Sequence, residues 1–128
     1  MIEFLRSRAR SFHYAFEGWW YVIRTQQNAW LHAVVSVVVV IVGLWLQITA
    51  RDWAVIILAI AMVWAAEFFN TALEAIVDLA SPQQNHLAKV GKDVGAAAVL
   101  IAAAASVLVG LLIFGPPLWE KLRWILAF

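Results

Sequence analysis

The chain contains no cysteine. That excludes both a disulfide framework and a thiolate metal site. Charge is scarce: Asp, Glu, Lys and Arg together make up 13% of the 128 residues. The formal net charge is only +1, so no basic field argues for a nucleic-acid partner. A Walker-type glycine loop is also missing. Gly91-Lys92 lacks the upstream glycine and the following Ser or Thr that such a loop needs. The first 29 residues carry Arg6, Arg8, Arg10, Glu17 and Arg24 among aromatics. That is not the charged tip, short apolar run and small-residue cleavage site of a signal peptide. What abounds is apolar surface, at 65% of residues. A soluble domain of this size cannot bury so much, because small domains leave a large share of their surface in water. The bilayer must supply the missing apolar solvent.

Three stretches are long enough to use it. Residues 30–49 hold no Asp, Glu, Lys or Arg, and about 20 such residues cross a hydrocarbon core ~30 Å thick. Residues 53–79 form a second apolar segment, whose latter half contains Glu67, Asn70, Glu74 and Asp78. Residues 94–114 form a third, free of charge and rich in Ala, Gly and Ser. Small residues let helix backbones approach where lipid removes the hydrophobic drive to associate, so this span is expected to pack closely. Pro116 and Pro117 are expected to end it. Ahead of the first span, over about residues 4–27, Leu5, Ala9, Phe12, Phe16, Trp19, Trp20 and Ile23 follow helical spacing. Arg6, Arg10, His13, Glu17 and Arg24 follow it on another face. The spacing predicts an amphipathic helix on the membrane surface, with Trp and Tyr at headgroup level. The fold class is therefore an all-α integral membrane domain over residues 1–128, a surface helix followed by three transmembrane helices.

Four arginines precede the first span, and Lys89, Lys92 and Asp93 lie between the second and third. The connection between the first and second carries only Arg51 and Asp52 as charges. The positive-inside rule puts the N-terminus and the second connection in the cytoplasm.

Chemistry concentrates in EFFNTALEAIVD, Glu67 to Asp78. At about 100° per residue, Glu67, Asn70, Thr71, Glu74 and Asp78 share one narrow stripe. A carboxylate at bilayer depth costs roughly 2.5–3.5 kcal/mol even on lenient insertion scales. Three of them with an amide must face protein, water or a cation. Oxygen donors without His or Cys favour a hard cation, and Mg²⁺ is usually held by one or two carboxylates plus substrate phosphates. Lys89, Lys92 and Asp93 lie near the depth where the stripe ends, which suits a nucleotide polyphosphate. His13, His32 and His86 are read as interfacial hydrogen-bonding residues rather than ligands.

The motif E-x-x-N-T-A-x-E-x-x-V-D ending at Asp78, then Lys92-Asp93 and an Ala-rich span, closely resembles the prokaryotic diacylglycerol kinase family, which includes the undecaprenol kinases. The resemblance runs from about Ser11 to Phe114. The stretches Ser11–Gly18, Asp78–Pro82 and Leu87–Lys89 look more like the undecaprenol kinase branch. The resemblance implies an ATP- and Mg²⁺-dependent lipid kinase of the bacterial inner membrane. It also implies a homotrimer with active sites shared at the cytoplasmic face. By position, Glu67 looks like the general base that meets the lipid hydroxyl, and Asn70 like a residue that orients the reacting groups. Glu74 looks like a Mg²⁺ and nucleotide ligand. Lys92, Asp93 and Tyr14 look like nucleotide contacts. Gln26 stands where some members have Glu as a second metal ligand, so it brings a carbonyl but no charge. Gln83-Gln84-Asn85 and Ser7 also depart from the family pattern.

Other classes compete. Intramembrane Glu residues also serve small oligomeric proton-coupled transporters, but a carrier has no need of Lys92-Asp93 at its edge. A catalytically inactive assembly subunit is the third reading, kept open by Gln26.

Overall fold

The computed structural model describes residues 1–81, 83 and 85–126, less the side chains of Ile2 and Leu5. Four helices occupy nearly all of this length: α1 Ile2–Thr25, α2 Gln27–Leu46, α3 Ala50–Ala80 and α4 His86–Leu126. The last three are each long and apolar enough to cross a membrane.

A single extended residue, Gln26 at φ −103° and ψ 117°, separates α1 from α2. Its N–H donates to Val22 O at 2.9 Å and closes α1. The turn folds the end of α1 inward, so that Val22, Ile23 and Ala29 form a buried cluster against Trp64 and Phe68 of α3. Phe12, Phe16, Trp19 and Trp20 stay exposed along α1. They form the aromatic row that the sequence spacing assigns to the bilayer surface.

Between α2 and α3 the chain reverses in three residues. Gln47 takes a left-handed conformation (φ 54°) that accepts the end of α2. Thr49 and Asp52 then make a reciprocal capping box for α3. The Thr49 hydroxyl accepts from Asp52 N–H at 3.2 Å, and the Asp52 carboxylate accepts from Thr49 N–H at 3.2 Å. Such a cap is worth about 1 kcal/mol. Gly43 is required here, since a Cβ would stand 2.8 Å from the Trp53 ring.

The main packing surface joins α3 and α4. On α3 it buries Ile56, Val63, Glu67, Asn70 and Thr71; on α4 it buries Gly95, Val99 and Ala102. The Ser106 hydroxyl donates to Ala102 O at 2.9 Å and to Ala59 O across the interface at 3.2 Å. The small residues of α4 thus allow the close approach expected of them. With 31 residues, α3 is about 46 Å long, more than a ~30 Å hydrocarbon core needs.

Pro116 and Pro117 do not end the third apolar helix. α4 continues through both prolines to Leu126. Two intrahelical donors are lost there, but Gly115 has no Cβ to clash with the following proline ring. The extension is also tied down: Lys121 Nζ donates to Trp45 O at 2.7 Å and sits 4.5 Å over the Trp45 ring. The end of an apolar span and the end of a helix are different events in this chain.

Candidate active site

The acidic stripe of α3 runs from dry to wet. Glu67 is 1% exposed, Asn70 8% and Thr71 5%. Glu74 is half-buried and Asp78 exposed. Thr71 donates its hydroxyl to Glu67 O at 2.9 Å and so makes no demand on the site. Asn70 Nδ2 donates to Glu74 Oε1 at 3.1 Å, fixing the carboxylate one turn further on. At the wet end Asp78 Oδ1 pairs with Lys92 Nζ at 2.5 Å. Lys89 Nζ pairs with Asp93 Oδ2 at 2.6 Å. Asp78, Lys89, Lys92 and Asp93 line an open cleft of about 710 Å³ between the end of α3 and the start of α4. The structure therefore joins Glu67, Asn70 and Glu74 on one face of α3, and sets a charged cleft beyond them.

Tyr14 and Gln26 stand apart in the isolated chain. Tyr14 is exposed on α1, beside the His13 ring. Gln26 is half-buried at the α1–α2 turn. Buried packing of α1 against α3 comes through Val22 and Ile23, which leaves Tyr14 more than two turns away along α1. Of the loop 83–85, Gln84 lies outside the described residues, as does Pro82.

His32 corrects the sequence reading. It is not an interfacial residue: its side chain is 13% exposed and its Nε2 lies 3.8 Å from Glu67 Oε2. Trp64 meets the imidazole edge-on, with ring centroids 6.4 Å apart. Trp64 Nε1 in turn donates to Ser36 Oγ at 3.3 Å, and Ser36 donates to His32 O at 2.7 Å. The signal was present as a lone His with Ser four residues on, inside a span without charge. Gly95 was also missed as a site residue. A Cβ there would collide with Asn70 Oδ1, so glycine on α4 makes the space in which Asn70 sits.

Among the described residues three buried side-chain polar atoms have no hydrogen-bond partner: His32 Nε2, Glu67 Oε2 and Asn70 Oδ1. Each costs about 1–3 kcal/mol while unmet. His32 Nε2 and Glu67 Oε2 lie 3.8 Å apart, while Asn70 Oδ1 faces Gly95 on α4. Among the described residues no three His, Asp or Glu side chains converge to cage a metal. The donors that are present still fit Mg²⁺. Glu74 offers a carboxylate with oxygen and amide neighbours only, and Mg²⁺ takes few protein ligands when substrate phosphates supply the rest.

A family profile described as prokaryotic diacylglycerol kinase matches residues 13–114. The chain belongs to the prokaryotic diacylglycerol kinase family. It is 38% identical over 109 residues to the undecaprenol kinase of Bacillus subtilis, covering 85% of this chain and 89% of the relative. It is 43% identical over 109 residues to a diacylglycerol kinase of Synechocystis, covering 84% of this chain and 62% of that protein. The diacylglycerol kinase of Escherichia coli is 35% identical over 69 residues, 54% of this chain and 57% of that one. As a family of membrane lipid kinases, prokaryotic diacylglycerol kinases account for the three apolar helices. Nothing in these likenesses supports a transporter.

Proposed function

We propose that this chain transfers the γ-phosphoryl group of ATP to the hydroxyl of a membrane lipid alcohol, with undecaprenol the favoured substrate and diacylglycerol the next. One observation carries the reading: a buried carboxylate with an unmet oxygen, Glu67 Oε2, continuous along α3 with the Asn70–Glu74 pair and the charged cleft at Lys92. Phosphoryl transfer asks for positioning and charge neutralisation more than covalent help. That is what such a stripe offers.

In this reading Glu67 accepts the proton of the lipid hydroxyl. The freed oxygen forms a bond to the γ-phosphorus, the bond from that phosphorus to the bridging oxygen breaks, and ADP departs with its electron pair. Asn70 holds Glu74 in place. Glu74, with Gln26, would hold Mg²⁺, which neutralises phosphate charge when bound. Lys92, Asp93 and Tyr14 contact the nucleotide, and Lys92 exchanges Asp78 for phosphate. The alcohol reaches Glu67 without leaving the bilayer, because its hydroxyl and the base sit at similar depth.

Two further parts belong to the proposal. The kinase is a homotrimer, so that Tyr14 and Gln26 complete the site of a neighbouring subunit. The active site faces the cytoplasm from the inner membrane, where ATP is available and where the arginines of α1 point by the positive-inside rule. The undecaprenol preference is supported by the sequence at Ser11–Gly18, Asp78–Pro82 and Leu87–Lys89. Incubating the purified protein with labelled ATP and either undecaprenol or diacylglycerol tests the function. Label entering neither lipid refutes it.

A further inference from the structure

The end of α4 lies outside the family match. The profile stops at residue 114, whereas the helix runs on to Leu126. Between Asp93 and Glu120 the chain holds no Asp, Glu, Lys or Arg. At 1.5 Å per residue those two carboxylates stand ~40 Å apart along the helix. A bilayer with both headgroup layers included is about 40–45 Å thick. With Asp93 in one headgroup layer, Glu120, Lys121 and Arg123 occupy the other. The Lys121–Trp45 contact keeps them beside the end of α2, where an open cleft of about 1100 Å³ separates the two helix ends. Its charged walls are Glu120, Lys121 and Arg123, and its apolar walls include Trp45, Leu46 and Ile125. Two cations against one carboxylate leave one positive charge in excess. One of the three Lys121 ammonium protons goes to Trp45 O. Among the described residues no carboxylate pairs with Arg123, which is exposed.

We infer that this cleft holds the headgroup of one anionic phospholipid, of the phosphatidylglycerol type, drawn from the leaflet opposite Lys92. Basic pockets between membrane helices are places where anionic headgroups bind. The phosphodiester is a monoanion and cancels the excess charge. Its free oxygens accept from the Arg123 fork, whose geometry matches phosphate, and from the remaining Lys121 protons. A glycerol hydroxyl donates to Glu120. Without such a donor the carboxylate would only repel the phosphate, so Glu120 selects a head that carries a hydroxyl. The acyl chains descend past Trp45, Leu46 and Ile125, with the Trp ring at the headgroup level that Trp favours. A phosphoethanolamine head is neutral overall and leaves the excess charge uncancelled. Phosphocholine is neutral too and has no N–H or O–H for Glu120. The bound lipid ties the last turns of α4 to the end of α2, on the side of the membrane away from the proposed kinase site.

The test titrates the full-length protein, freed of lipid in detergent, with palmitoyl-oleoyl phosphatidylglycerol. The ethanolamine, choline and methanol phospholipids with the same chains are run beside it, and native mass spectrometry counts the lipids retained per chain. Wild type should hold one phosphatidylglycerol per chain more tightly than any of the other three. Arg123→Gln should weaken that binding by about tenfold or more, the loss of a charge-assisted hydrogen bond. Arg51→Gln removes the same charge from the same membrane face, at an exposed residue outside the cleft, and should leave the affinity nearly unchanged. Glu120→Leu should erase the lead of phosphatidylglycerol over phosphatidylmethanol, an anion without a hydroxyl. Equal losses in Arg123→Gln and Arg51→Gln would mean a diffuse surface charge and overturn the site, as would undiminished binding in Arg123→Gln. Ethanolamine or choline lipid held as tightly as phosphatidylglycerol overturns the charge match. A lead over phosphatidylmethanol that survives in Glu120→Leu overturns the hydroxyl contact. Since the readout is lipid retention, failure of the kinase reading leaves each outcome as decisive as before.

Discussion

Replacing Gly95 with alanine should damage the site from the opposite helix. A Cβ at residue 95 would run into Asn70 Oδ1, and Asn70 cannot retreat without releasing Glu74 Oε1. Overpacking of this kind costs about 1–3 kcal/mol. Alanine in a helix returns up to about 1 kcal/mol relative to glycine. Gly91→Ala calibrates that gain, since its Cβ would meet Val77 Cγ2 at an ordinary 3.7 Å. Equilibrium unfolding in mixed micelles should therefore show Gly91→Ala at or above wild type and Gly95→Ala below it. The cost should vanish in the Asn70→Ala background, where the colliding oxygen is gone. A double-mutant cycle should give a coupling of about 1–3 kcal/mol between the two positions. Turnover of Gly95→Ala should fall as Glu74 loses its anchor, and added Mg²⁺ should recover part of it. If Gly95→Ala is as stable as Gly91→Ala, or adds independently to Asn70→Ala, the proposed wedge between α4 and Asn70 is wrong.

Glu67→Gln keeps size and hydrogen bonding but cannot take a proton, so turnover should fall ~10²–10⁴-fold with nucleotide affinity nearly intact and no rescue by Mg²⁺. Glu74→Gln should instead weaken the nucleotide complex and be partly rescued across a Mg²⁺ series; the opposite pattern would reverse the two roles. Gln26→Glu should lower the Mg²⁺ concentration for half-activity, and an unchanged value would place residue 26 away from the metal. Mass measurement in detergent should find trimers in active samples. Active monomers would refute a site shared between subunits.

Much of this fold could be read from spacing alone, and the reasons are physical. A charge-free span such as residues 30–49 has one stable state in lipid, the helix. The apolar and charged rows of α1 likewise fix its faces. The acidic stripe was legible because carboxylates at that depth are too costly to be incidental. What stayed hidden depends on neighbours that sequence spacing does not name. His32 reads as one polar residue among valines until α2 is laid on α3 and brings it to Glu67. Gly95 is one small residue among many on α4, and only the Asn70 side chain distinguishes it. Pro116 and Pro117 carry a strong stop signal, but Gly115 and the Lys121–Trp45 contact outweigh it.

The length of α3 makes it a depth gauge. Counted from Asp52 at one surface, Glu67 lies ~22 Å along the axis and Asp78 ~39 Å, against a hydrocarbon core of ~30 Å. On the proposed reading the proton acceptor sits just beneath the far boundary, and the first charged partners stand outside it. An uncharged alcohol is at home at the level of Glu67, whereas its phosphate ester is not, since a charge held there is costly. The reaction thus raises the energy of its own product at the depth where it forms. Downhill for that product is toward Lys92 and the water beyond. The height of one carboxylate on a helix gives the catalytic cycle its exit direction, with no moving part required to push the phosphate out.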